Sequence, residues 1–291
     1  MIPKGLLPPR PREVHKGDCG RVLILAGSAS MTGAAALCAM GALRAGAGLV
    51  TLGIPKSLHA PLAAKLTEAM FLLLPETSEG SLGLRALRPI EDAAKAADVV
   101  AIGPGLSRNR DTAGLVQDIL PGLKSPVILD ADALNNLGKH PKALARLSKR
   151  AIVTPHPGEM ARLTGKDVAE IQADRALAAR AFAQRHESIV VLKGAGTVVA
   201  NPQGNTYINE TGNSAMASGG MGDVLTGLIA ALVGQRLSLY DAACLGVYLH
   251  GLAGDLAAKE LGAIGLIASD VAAKIPFAIR AYQQSEPVSR C

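Results

Sequence analysis

Tryptophan is absent from this 291-residue chain, and four tyrosines and three phenylalanines supply all its aromatic side chains. Proteins that read single-stranded nucleic acid stack bases on aromatic rings, so the sequence offers little to that class. Cysteine is almost as scarce. Cys19, Cys38, Cys244 and Cys291 lie far apart without a CxxC pair, which indicates neither a zinc ribbon nor a disulfide framework and suits a reducing cytoplasm. The N-terminus, MIPKGLLPPRPR, lacks the apolar h-region of a secretory signal, and its prolines at 3, 8, 9 and 11 describe an extended arm over about residues 1–14. The stretch from Val22 to Leu43 carries no charge and is long enough to test as a membrane span. Gly27, Ser28, Ser30, Thr32 and Gly33 interrupt its middle, so strand, loop and buried helix explain it better. Internal repeats and low-complexity tracts are missing too, and the chain reads as a single domain over 1–291.

What is present is ordinary globular material, 49% apolar and 19% charged. A folded chain of this mass hides roughly 70 to 75% of its unfolded surface, so stability requires neither disulfides nor a structural metal. The net charge of +6 would attract anionic ligands such as phosphates or serve only solubility. Short β-branched or Leu-rich runs recur at Val22 to Leu25, Val50 to Ile54, Met70 to Leu74, Val99 to Ile102, Val127 to Leu129, Ile152 to Val153 and Ile189 to Leu192. Between most of them lie Ala-rich segments of helical length, as at 34–47, 86–97, 111–120 and 167–186. Strands buried on both faces read as continuous apolar runs, and parallel strands need crossovers, so the alternation predicts a doubly wound α/β sheet. Past Leu192 a Gly-rich turn leads into a second run at Thr197 to Ala200, which predicts antiparallel hairpins. Helices return at 224–233, 239–261 and 269–283.

Open parallel sheets bind ligands beyond the carboxyl ends of their strands. Four such ends are unusual here: Gly103-Pro104-Gly105, Asp130-Ala131-Asp132, Thr154 to Glu159, and Lys193-Gly194-Ala195-Gly196-Thr197. Each alone reads as an ordinary turn, but four on one sheet edge point to a site. The segment NETGNSAMASGGMGDVLTG, Asn209 to Gly227, is the most informative. Gly219, Gly220 and Gly222 let the backbone turn its amides toward a ligand, and a helix starting near Gly222 aims its positive end at the same place, as in a phosphate cradle. Asp223 then caps that helix or, because a carboxylate beside an anion site would repel phosphate, acts as a base on an attacking hydroxyl. No P-loop, GxGxxG, HExxH or GxSxG motif occurs. His156 and Glu159 have metal-like spacing without a third ligand nearby, so His156 reads better as a hydrogen-bond partner for a polar substrate. His250 and Asp255 read as core or interface.

Seven ordered segments carry a more specific signal: Gly20 to Val50, AIGPGL (Ala101 to Leu106), LDADALN (Leu129 to Asn135), VTPHPGEMARL (Val153 to Leu163), VLKGAGT (Val191 to Thr197), GGMGDVLTG, and GVYLHGLAGD (Gly246 to Asp255). Together the chain resembles the nucleotide-dependent NAD(P)H-hydrate dehydratases, from about His15 to about Pro276, whereas GGxGD alone would indicate only the ribokinase-like superfamily. The resemblance implies a three-layer α/β/α ribokinase-like fold with a mainly parallel central sheet. It also implies repair of the hydrated nicotinamides NADHX and NADPHX: the ring hydroxyl is phosphorylated, and loss of phosphate restores the double bond. The implied donor is ADP, giving AMP and phosphate, with ATP, used by eukaryotic members, as the alternative, and Mg2+ accompanies the nucleotide.

By the same resemblance, Ala34, Gly103, Gly105 and His156 would contact the hydrate, and Lys193 to Thr197 and Gly222 would hold the nucleotide. Asp223 would be base and substrate ligand. Asn135 and Glu159 rank second, acting through magnesium and water, with no metal bound directly to protein; Gly219 and Gly220 accompany them, and Asp130 and Asp132 read as structural. Two departures stand out. Met221 occupies a position usually held by Thr or Ser, which removes a hydroxyl and keeps the backbone amide; SRN follows Leu106 where a further glycine is common. Relatives are commonly tetrameric and many carry an N-terminal epimerase domain, so the expectation here is a cytoplasmic homotetramer served by a separate NAD(P)H-hydrate epimerase. Two rivals share the glycine loop and Asp223: a ribokinase-like kinase of a vitamin alcohol, which would leave a stable phosphorylated product, and a nucleotide sensor without turnover.

Overall fold

A computed structural model describes residues 2, 5–138, 141–147 and 149–285, so Cys291 lies outside the described residues. Along the chain run β1 (Arg21–Leu25), α1 (Thr32–Arg44), β2 (Leu49–Pro55), α2 (His59–Ala63), β3 (Met70–Leu74), α3 (Leu87–Ala94), β4 (Val99–Ile102), α4 (Arg110–Ile119), β5 (Val127–Leu129), α5 (Ala131–Leu137) and β6 (Ala151–Val153). There follow α6 (Pro157–Thr164), α7 (Val168–Ala173), α8 (Arg175–His186), β7 (Ile189–Leu192), β8 (Val198–Ala200), β9 (Thr206–Ile208), α9 (Met221–Gly234), α10 (Leu239–Leu261) and α11 (Ala268–Gln284). The strands form one sheet in the order β3-β2-β1-β4-β5-β6-β7-β8-β9. β1 through β7 pair in parallel, and β8 and β9 turn back antiparallel.

Both faces of the sheet are covered, which is why its central strands read as unbroken apolar runs. Val22 and Ile24 of β1 point into the core under α1, α9, α10 and α11, and Leu23 and Leu25 into the opposite core under α3, α4, α5 and α8. This is the expected three-layer α/β/α arrangement. α1 lies almost backbone to backbone on α9. A Cβ at Gly227 would stand 1.9 Å from the carbonyl oxygen of Cys38, and one at Gly41 2.3 Å from that of Val224. No larger side chain fits either crossing, and the contact holds α9 against α1.

The expected helix over 167–186 is two helices. Asp174 leaves helical geometry at φ −148° and ψ 87°, and its side chain accepts the Leu177 amide at 2.8 Å, capping α8. The proline-rich start packs as an arm along α11: Leu7 is buried, the Leu6 amide donates to the Tyr282 hydroxyl at 3.2 Å, and Gln283 Nε2 donates to the Leu7 carbonyl at 3.1 Å. No helix among the described residues is long and apolar enough to cross a membrane. The uncharged stretch 22–43 is β1, a loop and α1.

Candidate active site

Strand order reverses between β1 and β4, and the reversal opens a crevice beyond their carboxyl ends. The loop after β4 passes there. Gly103, at φ 137°, comes so near the end of β5 that a Cβ would lie 1.8 Å from the Asp130 carbonyl oxygen. Its amide donates to Leu25 at 3.1 Å, and the Gly27 amide donates to Pro104 at 2.8 Å, which fastens the loops after β1 and β4 to each other. A Cβ on Gly105 would be 2.9 Å from the Ala34 Cβ, so the structure brings Ala34, Gly103 and Gly105 together. Ser107 follows with a left-handed backbone, φ 77°, held by its amide donating to Asp132 Oδ2 at 3.0 Å and by Asn136 Nδ2 donating to its carbonyl at 3.0 Å. That conformation explains why glycine is favoured in this stretch.

Beyond β5, β6 and β7 sits a polar cluster. Asp130, 1% exposed, accepts three hydrogen bonds: from the Thr154 hydroxyl at 2.7 Å, from Lys193 Nζ at 2.6 Å, and from the Thr226 hydroxyl of α9 at 2.8 Å. Glu159 Oε2 lies 3.9 Å from the same ammonium. Burial works to lower the Lys193 pKa, but the Asp130 and Glu159 carboxylates outweigh it, so the value is raised and the side chain stays a cation. Glu159 is itself buried, and burial raises its pKa against the pull of Lys193.

His156 and Glu159 form a capping box on α6. His156 Nδ1 accepts the Gly158 amide at 3.0 Å, and Glu159 Oε2 accepts the His156 amide at 2.8 Å. Burial, with Lys193 and Arg162, lowers the His156 pKa and keeps the ring neutral near pH 7. Asn135 spends both ends of its amide on neighbours, donating to Asp132 Oδ1 at 3.1 Å and accepting from Arg162 Nε at 3.1 Å.

α9 starts at the glycine loop as expected. Gly220 caps it at φ 90°, and the first backbone bond runs from Val224 to Gly220 at 3.2 Å. The amides of Met221, Gly222 and Asp223 therefore have no intrahelical partner and mark the positive end of the helix. Lys193 reaches this end too, since a Cβ on Gly222 would be 3.2 Å from its Nζ. Asp223 stands in the first turn, and no hydrogen-bond donor among the described residues reaches its carboxylate. Burial, then the charge of Asp130, push its pKa up to about 7 against Lys193, with Asp132 and Glu159 adding to the rise. A carboxyl in that range exchanges a proton near neutrality.

A cavity of about 640 Å³ opens beside this helix end, lined by Lys193 to Thr197, Met221, Gly222 and His250 among others. The loop Lys193 to Thr197 thus shares one cavity with Gly222, whereas Gly219 and Gly220 belong to the turn before it. Arg175 of α8 grips the loop from behind, its guanidinium donating to the Ala195 and Gly196 carbonyls. Met221, 8% exposed, lies against the cavity in the position expected to carry a hydroxyl. His250 is buried as expected but lines the same cavity. Its Nε2 has no hydrogen-bond partner among the described residues, and burial drives its pKa down to about 4. Asp255 ties the 212–213 turn to α10, accepting from the Gly212 amide at 3.0 Å and Asn213 Nδ2 at 2.8 Å.

Sequence reasoning gave Arg175 and Thr226 no role, counted Thr154 only among the strand-end residues, and took Asp130 as structural. Asp130 and Thr154 stand immediately after strands, a position that drew attention to both without assigning them a contact; Arg175 and Thr226 carry no comparable sign.

Comparison with known proteins bears on this geometry. A family model described as NAD(P)H-hydrate dehydratase matches residues 22–277. The chain is 48% identical over 278 residues to a bifunctional NAD(P)H-hydrate repair enzyme of Moorella thermoacetica, covering 96% of this chain and 52% of that protein. It spans about half the length of the bifunctional relatives it matches. An ADP-dependent (S)-NAD(P)H-hydrate dehydratase of Xanthomonas campestris is 37% identical over 261 residues, 90% of this chain and 88% of that one. Among solved structures, the Bacillus subtilis ADP/ATP-dependent NAD(P)H-hydrate dehydratase, co-crystallised with ATP and Mg2+, superimposes with a TM-score of 0.79 at 34% identity over 97% of this chain and 99% of its own. A hydroxyethylthiazole kinase from Pyrococcus horikoshii, at 16% identity and a TM-score of 0.60, shares the fold.

Proposed function

The chain belongs to the NAD(P)H-hydrate dehydratase family, and from that premise we propose that it converts the S-epimers of NADHX and NADPHX to NADH and NADPH at the expense of ADP. The observation that carries the reading is Asp223: a carboxyl with no hydrogen-bond donor among the described residues, pushed up to about 7, in the first turn of a helix whose free amides and neighbouring Lys193 face a nucleotide-sized cavity. The nucleotide lies in that cavity, with its phosphates against the amides of α9 and the Lys193 ammonium. The hydrate is assigned to the crevice where Ala34, Gly103 and Gly105 meet, with His156, at the start of α6, as a further contact. Asp223 takes the proton of the ring hydroxyl as its oxygen attacks the terminal phosphorus of ADP; an O–P bond forms, the bridging P–O bond breaks, and AMP leaves. Phosphate then departs with the electron pair of the C–O bond, water takes the proton of the adjacent carbon, and the C–H pair becomes the ring double bond. Hydroxide is a poor leaving group and phosphate a good one, which is what the phosphoryl transfer accomplishes.

No group of three His, Cys, Asp or Glu among the described residues is placed to hold a metal ion. We assign magnesium to the phosphate oxygens and water, where Glu159 and Asn135 would reach it through that water. Its contribution would be to neutralise charge on the transferred group. We also take residues 1–291 to form one domain and the protein to be a cytoplasmic homotetramer that works with an NAD(P)H-hydrate epimerase interconverting the two hydrates; light scattering on the purified protein tests the tetramer.

Purified protein mixed with chemically prepared NADHX and Mg2+, with ADP or ATP in parallel, tests the activity through returning NADH absorbance and released phosphate. Recovery with ADP is expected. Recovery with ATP alone overturns the donor, and no recovery by a folded, nucleotide-binding protein overturns the dehydratase in favour of an alcohol kinase.

A further inference from the structure

Asp130 is not among the residues lining the proposed nucleotide cavity, yet its side chain accepts three hydrogen bonds. Its Oδ1 accepts from Lys193 and Thr154 and its Oδ2 from Thr226, while only 1% of the residue is exposed. The arrangement answers an electrostatic difficulty. The N-terminus of α9 is positive, and an ammonium held against it would be repelled. With Nζ 2.6 Å from Asp130 Oδ1 and only 3.2 Å from the place of a Cβ on Gly222, the cation is kept at the helix end by a carboxylate that balances it. Thr226, one turn farther along α9, donates to the same carboxylate, so helix and ammonium are pinned to one buried group.

We propose that Asp130 is a positioning residue of the phosphoryl-transfer site: it fixes the Lys193 ammonium against the first turn of α9, so that phosphate meets a preset cation as well as the helix amides. The inference rests on the nucleotide reading above. A second consequence follows from charge. The groups that act on Asp223 are Asp130 after β5, Asp132 on α5, Glu159 on α6 and Lys193 after β7, and Asp223 in turn acts on the Cys38 thiol of α1. Burial is the larger cause of the raised Asp223 pKa and the charge of Asp130 the next, so neutralising Asp130 should also ease the ionisation of Asp223.

The test uses Asp130→Asn, Lys193→Met and the double variant, which removes both charges and leaves the buried pair neutral. Two readouts need no turnover: ADP affinity by calorimetry, and the Asp223 titration followed by carboxylate ¹³C NMR. Asp130→Asn is expected to weaken ADP binding roughly tenfold and to lower the Asp223 midpoint by about one pH unit. In the Lys193→Met background the same change should cost little further ADP affinity, because Asp130 acts through the lysine, and should still lower the midpoint. Thr226→Val, which cuts a hydrogen bond to Asp130 but keeps its charge, should lower the melting temperature and leave the midpoint alone. An Asp130→Asn protein with wild-type ADP affinity and midpoint overturns the proposal. Should that variant not fold, the double variant is read against Lys193→Met, and equal midpoints overturn it. A wild type that binds ADP but does not dehydrate NADHX refutes the dehydratase and leaves this assignment standing.

Discussion

Asp223 should make the protein less stable at the pH where it works, and Asp223→Asn should expose that cost. In the unfolded chain this carboxyl titrates at its ordinary 3.8, and in the folded protein at about 7. Between those values the native state binds more protons than the unfolded one, so stability falls as pH rises across the interval and the loss is complete above pH 7. At about 1.4 kcal/mol per pH unit, the interval from 3.8 to about 7 sets a ceiling of roughly 4 kcal/mol. The side chain is partly open to solvent, which screens the interaction, and about 2 kcal/mol is the working figure. Asparagine occupies the same volume without charge, so the variant should gain that amount at pH 8, about 3 to 5 °C in melting temperature for a chain of this size. The gain should shrink through pH 6 and approach zero near pH 4, as the unfolded-state carboxyl too begins to take up its proton.

Thermal unfolding of the two proteins in matched buffers from pH 4 to 8.5, without nucleotide, measures the difference directly. A gain independent of pH would mean that the charge is not the cause. A variant less stable than wild type at pH 8 would refute the reasoning altogether, since it would show the ionised carboxylate to be stabilised by contacts that the structure lacks. The same variant should have lost turnover while its ADP affinity stays within a few-fold of wild type; equal activity would remove Asp223 as the base.

Gly222→Val should weaken ADP binding by at least about tenfold in a calorimetric titration, because its side chain would meet Lys193 Nζ and fill the space over the free amides. Unchanged affinity would place the phosphates elsewhere. Arg175→Met releases the Ala195 and Gly196 carbonyls and should raise KM for ADP roughly tenfold with little change in kcat; steady-state kinetics separates the two. His250, driven down from 6.5 to about 4, contributes stability that is present above pH 6.5 and lost as pH falls through 4, a ceiling of about 3 kcal/mol. His250→Gln should therefore flatten the acid side of urea-unfolding stability between pH 4.5 and 7, and an unaltered slope would count against a neutral buried ring.

The strands were legible because a parallel strand buried on both faces leaves no polar positions to confuse it. The seven parallel runs, from Val22 to Leu25 through Ile189 to Leu192, coincide with β1 to β7 to within a residue or two. Helix boundaries depended on single residues. Asp174 breaks the segment 167–186 because its side chain caps α8 better than it continues α7. α5 and α6 are too short for their periodicity to stand out, yet α6 carried a readable sign. His156-x-x-Glu159, with its metal-like spacing, is a capping box in which histidine takes the place of serine.

The polar cluster was harder to read for a reason that lies in the sheet and in no single motif. Lys193 is 63 residues from Asp130 and Thr226 is 96 residues from it, and nothing in the composition of either segment names the other. Strand order supplies the link. β5, β6 and β7 are adjacent and parallel, with Leu129 level with Val153 and Val153 level with Val190, so the residues just past each strand converge on one edge. Four carboxylates gather near that edge, and their sequence contexts do not rank them. The number of donors does. Asp130 is sealed by two hydroxyls and an ammonium and has no room for a substrate, Asp132 takes the Ser107 amide and the Asn135 side chain, and Glu159 takes the His156 amide. Asp223 alone of the four has no donor among the described residues. It is therefore the carboxyl that can change its protonation state without dismantling the fold, and that property suits it to take a proton from a substrate hydroxyl.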